Sequence, residues 1–135
     1  MKRHGGMVVC ALLSATISLA AGSNNDAAWV GQWNSELDGQ PSVKLMLAED
    51  GGHLDGTVLF NVIVKEDGQA HVAGGDTHVL MHLEVNGDTL SFQVVRKSDS
   101  KELHFAVKLE SEGKAQLKCV NCGPDPVVAE LVRER

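Results

Sequence analysis

Short runs of alternating apolar and polar residues, each followed by a turn signal, constrain this fold more than any other feature. The clearest run covers residues 77–85, where four apolar side chains share one face: Val79, Met81, Leu83 and Val85. The same period of two continues through residues 89–97 and 101–110. Successive side chains of an extended strand point to opposite faces, so this period predicts half-buried antiparallel strands and argues against helices.

Turn residues divide the chain into nine such runs. Asp-Gly and Asn-Gly pairs favour tight hairpins because these residues accept positive φ angles. Turn sequences of this kind, or with Glu before Gly, occupy residues 50–52, 67–68, 86–87 and 112–113. Gly74-Gly75-Asp76 predicts a bend between two further runs. We therefore predict strands at residues 29–37, 42–49, 54–65, 69–73, 77–85, 89–97, 101–110, 114–121 and 126–133.

These strands predict an all-β fold. No long window has the 3.6-residue period of a helix, so crossover helices are not expected. Strands joined by hairpins, each with one apolar face, bury that face in a sandwich or a barrel. Sequential hairpins favour an up-and-down antiparallel β-barrel of eight or nine strands, and closure would remove exposed strand edges. We predict one such domain over residues 29–135.

The first residues predict an export signal. A basic start at Lys2 and Arg3 is followed by an apolar run over residues 7–19 and by small residues at 20–23. The run is shorter than the roughly 20 residues that span a bilayer, which argues against an uncleaved anchor. We predict a signal peptide at residues 1–21, a flexible arm at 22–28, and a secreted or periplasmic mature protein.

The charge of the mature chain excludes two classes of partner. All 18 acidic residues follow position 21, and loss of Lys2 and Arg3 leaves ten basic residues, a net charge of −8. An acidic domain has no electrostatic attraction for nucleic acid or for an anionic membrane. We expect no nucleic-acid partner, no membrane anchor after cleavage, and a monomer.

Cys119 and Cys122 form a C-x-x-C motif in a compartment that we expect to be oxidising. A redox role usually requires a helix N-terminus to lower one thiol pKa, and here a strand precedes the motif and Gly123-Pro124 follows it. A disulfide requires the chain to turn, because the Cα atoms of a straight strand would lie about 10 Å apart. A structural disulfide is the favoured interpretation, with free thiols and a reactive or metal-bound pair as alternatives.

The chain ends carry a resemblance. Gly31 and Trp33 form a Gly-x-Trp at the start of the first strand, residues 52–58 follow a second strand, and Arg133 lies on the last. This pattern resembles the calycin group of β-barrels, which includes lipocalins and avidins, and implies a lipocalin-like barrel. An inward Arg133 would be satisfied by stacking on Trp33 and by donating to carbonyls, which closes the barrel end. The alternative is a solvated Arg133 beyond the strand end.

The same resemblance has limits. Two tryptophans and no tyrosine are unlike the aromatic biotin pocket of avidins, so biotin binding is not implied. Bacterial metalloprotease inhibitors are similar small barrels, which keeps a protein partner under consideration.

Residues with catalytic or metal-binding potential are weakly arranged. The mature chain holds five histidines, and we interpret them as surface residues: His53, His71, His78, His82 and His104. Two of them, four residues apart on one strand face, would lie roughly 13 Å apart, too far to share a zinc ion without a cross-strand partner. No serine lies in a Gly-x-Ser-x-Gly elbow. We expect no enzyme activity, no catalytic residues, no metal and no cofactor.

These observations favour a small extracytoplasmic binding module. We expect a small apolar or amphipathic ligand in the barrel mouth or in a cavity between Met46, Leu59, Met81 and Phe92. One alternative is a protein-interaction module, such as a secreted enzyme inhibitor, that uses the 22–28 arm or the hairpin tips. Another is an accessory domain whose barrel is fully packed.

Overall fold

The computed structural model describes residues 26–124 and 128–134, and the predicted signal peptide lies outside them. Residues 26–29 form a turn in which the Trp29 N–H donates to the Asp26 carbonyl at 3.0 Å. Nine strands follow: β1 Gly31–Leu37, β2 Gln40–Asp50, β3 His53–Glu66, β4 Gln69–Val79, β5 Met81–Asn86, β6 Thr89–Val95, β7 Glu102–Ser111, β8 Lys114–Cys119 and β9 Val128–Arg133.

All paired strands are antiparallel, and they form a single sheet in the order β4-β3-β2-β1-β9-β8-β7-β6-β5. The sheet curls strongly into a half-barrel, which confirms the predicted all-β, up-and-down architecture. The sheet has two edge strands, because in the described residues β4 and β5 do not pair with each other. The chain instead passes from one edge to the other through Leu80.

The concave face of the sheet holds the core. Alternate residues of the central strands are buried there, as the period of two requires. The largest fully buried side chains come from both halves of the sheet: Trp29, Trp33, Phe92, Leu45, Leu90, Leu117, Leu131, Val58, Val94 and Val107. Curling the sheet lets these two halves face each other and exclude water from one cluster.

The predicted bend at residues 74–76 is wrong, since β4 continues through it to Val79. Gly75 lies against β3, where a Cβ atom would overlap the Asn61 side chain and come within 3.0 Å of the Phe60 carbonyl oxygen. The glycine therefore serves close strand approach rather than a turn. The direction change occurs at Leu80, whose N–H donates to the Gly56 carbonyl at 3.1 Å.

The prediction that alternate apolar residues of segment 77–85 share one face is also wrong for the first half of that segment. Val79 is 66% exposed, whereas Leu80 is only 5% exposed and belongs to the core. His82 has a φ of 52°, and the pairing with β6 shifts between Met81 and Glu84. This bulge changes which side chains point inward, because an extra residue reverses the alternation beyond it.

The hairpin turns place different residues at the two ends of the half-barrel. Turns at residues 38–39, 67–68 and 96–101 share one end, which we call the open end. Turns at residues 51–52, 87–88 and 112–113 share the other, the closed end. At the open end, Lys65 Nζ and Asp38 Oδ1 lie 4.0 Å apart, which joins two neighbouring turns.

Candidate functional site

Arg133 covers the closed end. Its guanidinium carbon lies 5.9 Å from the centre of the Trp33 ring, within the range of a cation–π contact. Nη1 donates to the Ala28 carbonyl at 3.3 Å, and Nη2 donates to the carbonyls of Ala27, at 3.4 Å, and Val30. These contacts satisfy a half-buried charge and bind residues of the predicted arm to the last strand.

Gly31 and Trp33 make this arrangement possible. Gly31 has a φ of 131°, and a Cβ atom there would lie 3.2 Å from Arg133 Nε. Trp33 is fully buried, and its indole Nε1 donates to the Trp29 carbonyl at 2.9 Å. Indole rings and an arginine side chain therefore fill the interior of the closed end.

The four residues predicted to surround a ligand do not meet in one cavity. Phe92 is buried in the core, whereas Met46 is 47% exposed beside the buried Leu45 and Leu47. Met46 therefore lies on the convex face. Leu59 pairs with Lys44 and Met81 with Gln93, which places both on that same face.

An apolar cleft opens instead at the open end, between β3–β4 on one side and β6–β7 on the other. Its volume is about 310 Å³, at the lower end of the range for small-molecule sites. We call it the open-end cleft. Ten residues line it: Phe60, Asn61, Val62, Asp76, His78, Val94, Arg96, Leu103, Phe105 and Cys122.

Aromatic rings form the inner wall of this cleft. Phe60 and Phe105 stack with ring centres 5.3 Å apart, and Phe105 stacks in turn on Phe92 at 5.4 Å. These are all three phenylalanines of the chain, so the wall is continuous with the core. His78 lies beside Phe60, with ring centres 6.0 Å apart. A ligand in the cleft would contact apolar surface that the fold already holds rigid.

Charged groups surround the entrance. Arg96 Nε donates to Asp99 Oδ1 at 2.9 Å, and Lys97 Nζ lies 3.8 Å from Asp76 Oδ1 on the opposite side. The hydrogen bond from Arg96, together with the Lys101 N–H, lowers the pKa of Asp99 to about 2. Asp99 in turn raises the pKa of Arg96. Arg96 and Asp99 therefore form an ion pair at the entrance, while the inner wall is apolar.

The disulfide loop, residues 119–122, forms one side of the cleft. The Cα atoms of Cys119 and Cys122 lie 5.7 Å apart, at disulfide distance, and Cys122 lines the cleft. Between them, Asn121 accepts the His104 N–H at 2.8 Å and donates to the Glu102 carbonyl at 3.0 Å. The turn that the disulfide requires is thus held against the end of β7. Paired cysteines are typical of an oxidising compartment.

Other kinds of site lack support in the described part of the chain. No group of three or more His, Cys, Asp or Glu side chains there could hold a metal ion. His82 and His104 border a shallow depression on the convex face, lined also by Glu84. Among residues 26–124 and 128–134, no helix has the length and apolar character to cross a membrane.

Sequence reasoning missed the cleft residues because it did not determine which strand faces point inward. A usable signal was present in β2. Alternate residues of a strand share one face, so Met46 lies on the same face as Lys44 and on the face opposite Leu45. The same alternation in β3 places Phe60 on the face of Leu54 and Val58, which are buried. Following it would have placed Phe60 inside and Met46 outside.

Comparisons of this chain with family models, with curated proteins and with solved structures found no match. Its function is therefore inferred from the geometry of the open-end cleft.

Proposed function

We propose that this protein is an extracytoplasmic binding module of calycin-like form that holds a small apolar or amphipathic ligand in the open-end cleft. The observation that carries the proposal is an apolar wall of stacked Phe60 and Phe105 beneath a rim of charged residues. Export through the signal peptide agrees with cysteines at disulfide distance.

The cleft chemistry favours an amphipathic molecule over a fully apolar one. The apolar part would lie against Phe60, Leu103 and Phe105, where water release favours binding. A polar end would reach Arg96 or Asp76 at the rim without leaving water. A cleft of about 310 Å³ suits a small molecule and is too small to enclose a large one.

Native mass spectrometry of the mature protein, purified from its own host's extracytoplasmic fraction, tests the proposal directly. We expect an added mass of a few hundred daltons that is lost on denaturation. The denatured spectrum also reports the cleavage site, and a mass two daltons below that of the dithiol would show the cysteines joined.

A dye-binding experiment locates the site. The probe is 1-anilinonaphthalene-8-sulfonate, which combines apolar rings with an anionic group. Val62 lines the cleft and is 58% exposed, so Val62→Asp places a charge there with little effect on folding. Val132, which is 53% exposed on β9 and far from the cleft, provides the matched control Val132→Asp.

We expect saturable dye binding that Val62→Asp weakens by about tenfold or more and that the control leaves unchanged. Equal effects of the two variants, or a bare protein mass together with no saturable dye binding, would contradict the proposed function.

A further inference from the structure

The disulfide has one cysteine in the core and the other at the side of the open-end cleft. Cys119 is 4% exposed and ends β8, where it pairs with Phe105. Cys122 is half-buried, packs against the core cluster and lines the cleft. Because Phe105 belongs to the inner wall, the S–S bond joins one side of the cleft to the strand pair that holds this wall.

Hydrogen bonds hold the first half of the disulfide loop independently of the S–S bond. The Val120 N–H donates to the His104 carbonyl at 2.7 Å, and the His104 N–H donates to Asn121 Oδ1 at 2.8 Å. Asn121 Nδ2 donates in turn to the Glu102 carbonyl at 3.0 Å. These three bonds join the loop to the beginning of β7. We therefore expect Val120 and Asn121 to stay in place when the S–S bond is broken.

The chain from Cys122 onwards depends on the S–S bond. Among the described residues, no hydrogen bond holds Cys122, Gly123 or Pro124, and the last two are exposed. The contacts that fix Cys122 in the described part of the chain are its covalent bond to Cys119 and its apolar packing. The boundary between anchored and releasable residues therefore lies between Asn121 and Cys122, at the side of the cleft.

The two cysteines differ in their access to a reductant. Disulfides are reduced by attack of a thiolate on one sulfur, and the rate depends on access to that sulfur. Cys122 is the more exposed residue, so the first thiolate of a dithiol attacks Cys122 Sγ, and Cys119 leaves as a thiolate that takes a proton from water. The second thiol of the reductant then closes on the first and releases Cys122 as a thiol. Two electrons pass to the protein, and the reductant becomes a disulfide.

We propose that the Cys119–Cys122 disulfide is a redox switch for the open-end cleft: reduction by a small dithiol releases Cys122 from the side of the cleft and weakens ligand binding. This inference rests on the proposed function, because it concerns the ligand affinity of the same cleft. Coupling between two equilibria is reciprocal. A ligand that favours the oxidised protein therefore protects the disulfide from reduction by the same factor as reduction weakens binding.

Dye binding in the two oxidation states tests the switch. 1-Anilinonaphthalene-8-sulfonate is titrated into the mature protein, either oxidised or reduced with dithiothreitol, and circular dichroism without the dye reports folding. We expect the dissociation constant of the dye to rise at least about fivefold on reduction, with the circular dichroism spectrum unchanged. In buffers of set dithiothreitol to oxidised dithiothreitol ratio, saturating dye should disfavour reduction of the disulfide by the same factor.

Variants and alkylation locate the change. Cys122→Ser removes the S–S bond and leaves Cys119 in the core, so its dye affinity should equal that of the reduced protein and should not respond to dithiothreitol. Val120→Ser changes a 66% exposed residue of the same loop and is the matched control, which should respond to reduction as the unmodified protein does. After reduction and removal of dithiothreitol under argon, iodoacetamide should label Cys122 at least about tenfold faster than the buried Cys119.

Three results would overturn the inference. These are a dissociation constant that does not rise on reduction, equal alkylation of the two cysteines, or loss of the folded circular dichroism spectrum in the reduced protein. The last would show that the disulfide holds the whole fold rather than the side of the cleft. Absence of dye binding in both oxidation states would overturn the proposed function as well, whereas dye binding that is the same in both states would count against the switch alone.

Discussion

Replacing Arg133 with methionine should destabilise the protein far more than the same change at Arg96. Both are arginines with several hydrogen bonds, so a difference between the two substitutions reports the difference in burial and in hydrogen-bond partners. Arg133 is half-buried and donates to the carbonyls of Ala27, Ala28 and Val30. Arg96 is exposed and pairs with a carboxylate on the surface.

The magnitude follows from the contacts that are lost. Three hydrogen bonds at about 1 kcal/mol each contribute about 3 kcal/mol. The contact with the Trp33 ring adds about 0.5–1 kcal/mol. Arg133→Met should therefore lower the free energy of unfolding by about 3–4 kcal/mol, a large share of the 5–15 kcal/mol typical of a domain. Arg96→Met should cost less than about 1 kcal/mol, as exposed ion pairs do.

Urea unfolding of the mature protein, followed by tryptophan fluorescence, measures both values. The two tryptophans are fully buried at the closed end and report the same region that Arg133 covers. Arg133→Lys keeps the charge but lacks the planar fork, so an intermediate loss is expected. A cost below about 1 kcal/mol for Arg133→Met, or equal costs for Arg133→Met and Arg96→Met, would refute the closing role.

Three further measurements test other features. Gly75→Ala should destabilise by about 1–3 kcal/mol because its methyl group overlaps β3, whereas Gly74→Ala, with open space around it, should cost no more than about 0.5 kcal/mol in the same urea titration. Reducing the disulfide, which closes a short loop, should lower stability by about 2 kcal/mol in urea titrations with and without dithiothreitol; an unchanged midpoint would contradict the pairing. The pKa of Asp99 is lower in the folded than in the unfolded protein, so its ion pair stabilises above about pH 4, and that contribution is lost as the pH falls towards 2. NMR titration should show the pKa of Asp99 returning towards 3.8 in Arg96→Met, and an unchanged value would disprove the assignment of its cause.

Most strands could be predicted because their signals are local. The turns at residues 67–68, 87–88 and 112–113 lie where Gly was expected to supply positive φ, and the structure shows that conformation at Gly68, Gly87 and Gly113. Each of these turns depends on two or three adjacent residues, and no distant contact is needed to favour it. The predicted strand bounds therefore agree closely with those observed, apart from β4 and β5.

The strand prediction failed at residues 69–85 because a Gly-Gly pair and an alternating apolar pattern each occur in more than one kind of structure. Gly74-Gly75 was interpreted as a bend, yet Gly75 serves close packing against Asn61. A positive φ is uncommon for any residue except glycine, so the one at His82 was not expected, and it changed which side chains of β5 point inward. The bulge lies in the pairing of β5 with β6, two strands whose register is not specified by their local sequence alone.

The residues predicted to surround a ligand do not share one cavity. The barrel mouth, or a cavity between four apolar residues, was expected to hold the ligand, whereas three of those residues, Met46, Leu59 and Met81, lie on the convex face. Without knowledge of which face of the sheet is concave, apolar residues on either face of a strand are equally good candidates for lining a ligand site.

The sequence by itself determined the strand succession, the antiparallel hairpins and the one-sided apolar faces, because each depends on spacing between near neighbours. Only the tertiary structure decided where the sheet opens, which residues line the cleft and which strands form the two edges of the described sheet. These depend on how the two halves of a curled sheet meet. The bulge at His82 and the hydrogen bond from the Leu80 N–H to the Gly56 carbonyl lie where the halves meet, and both depend on contacts between residues distant in the chain.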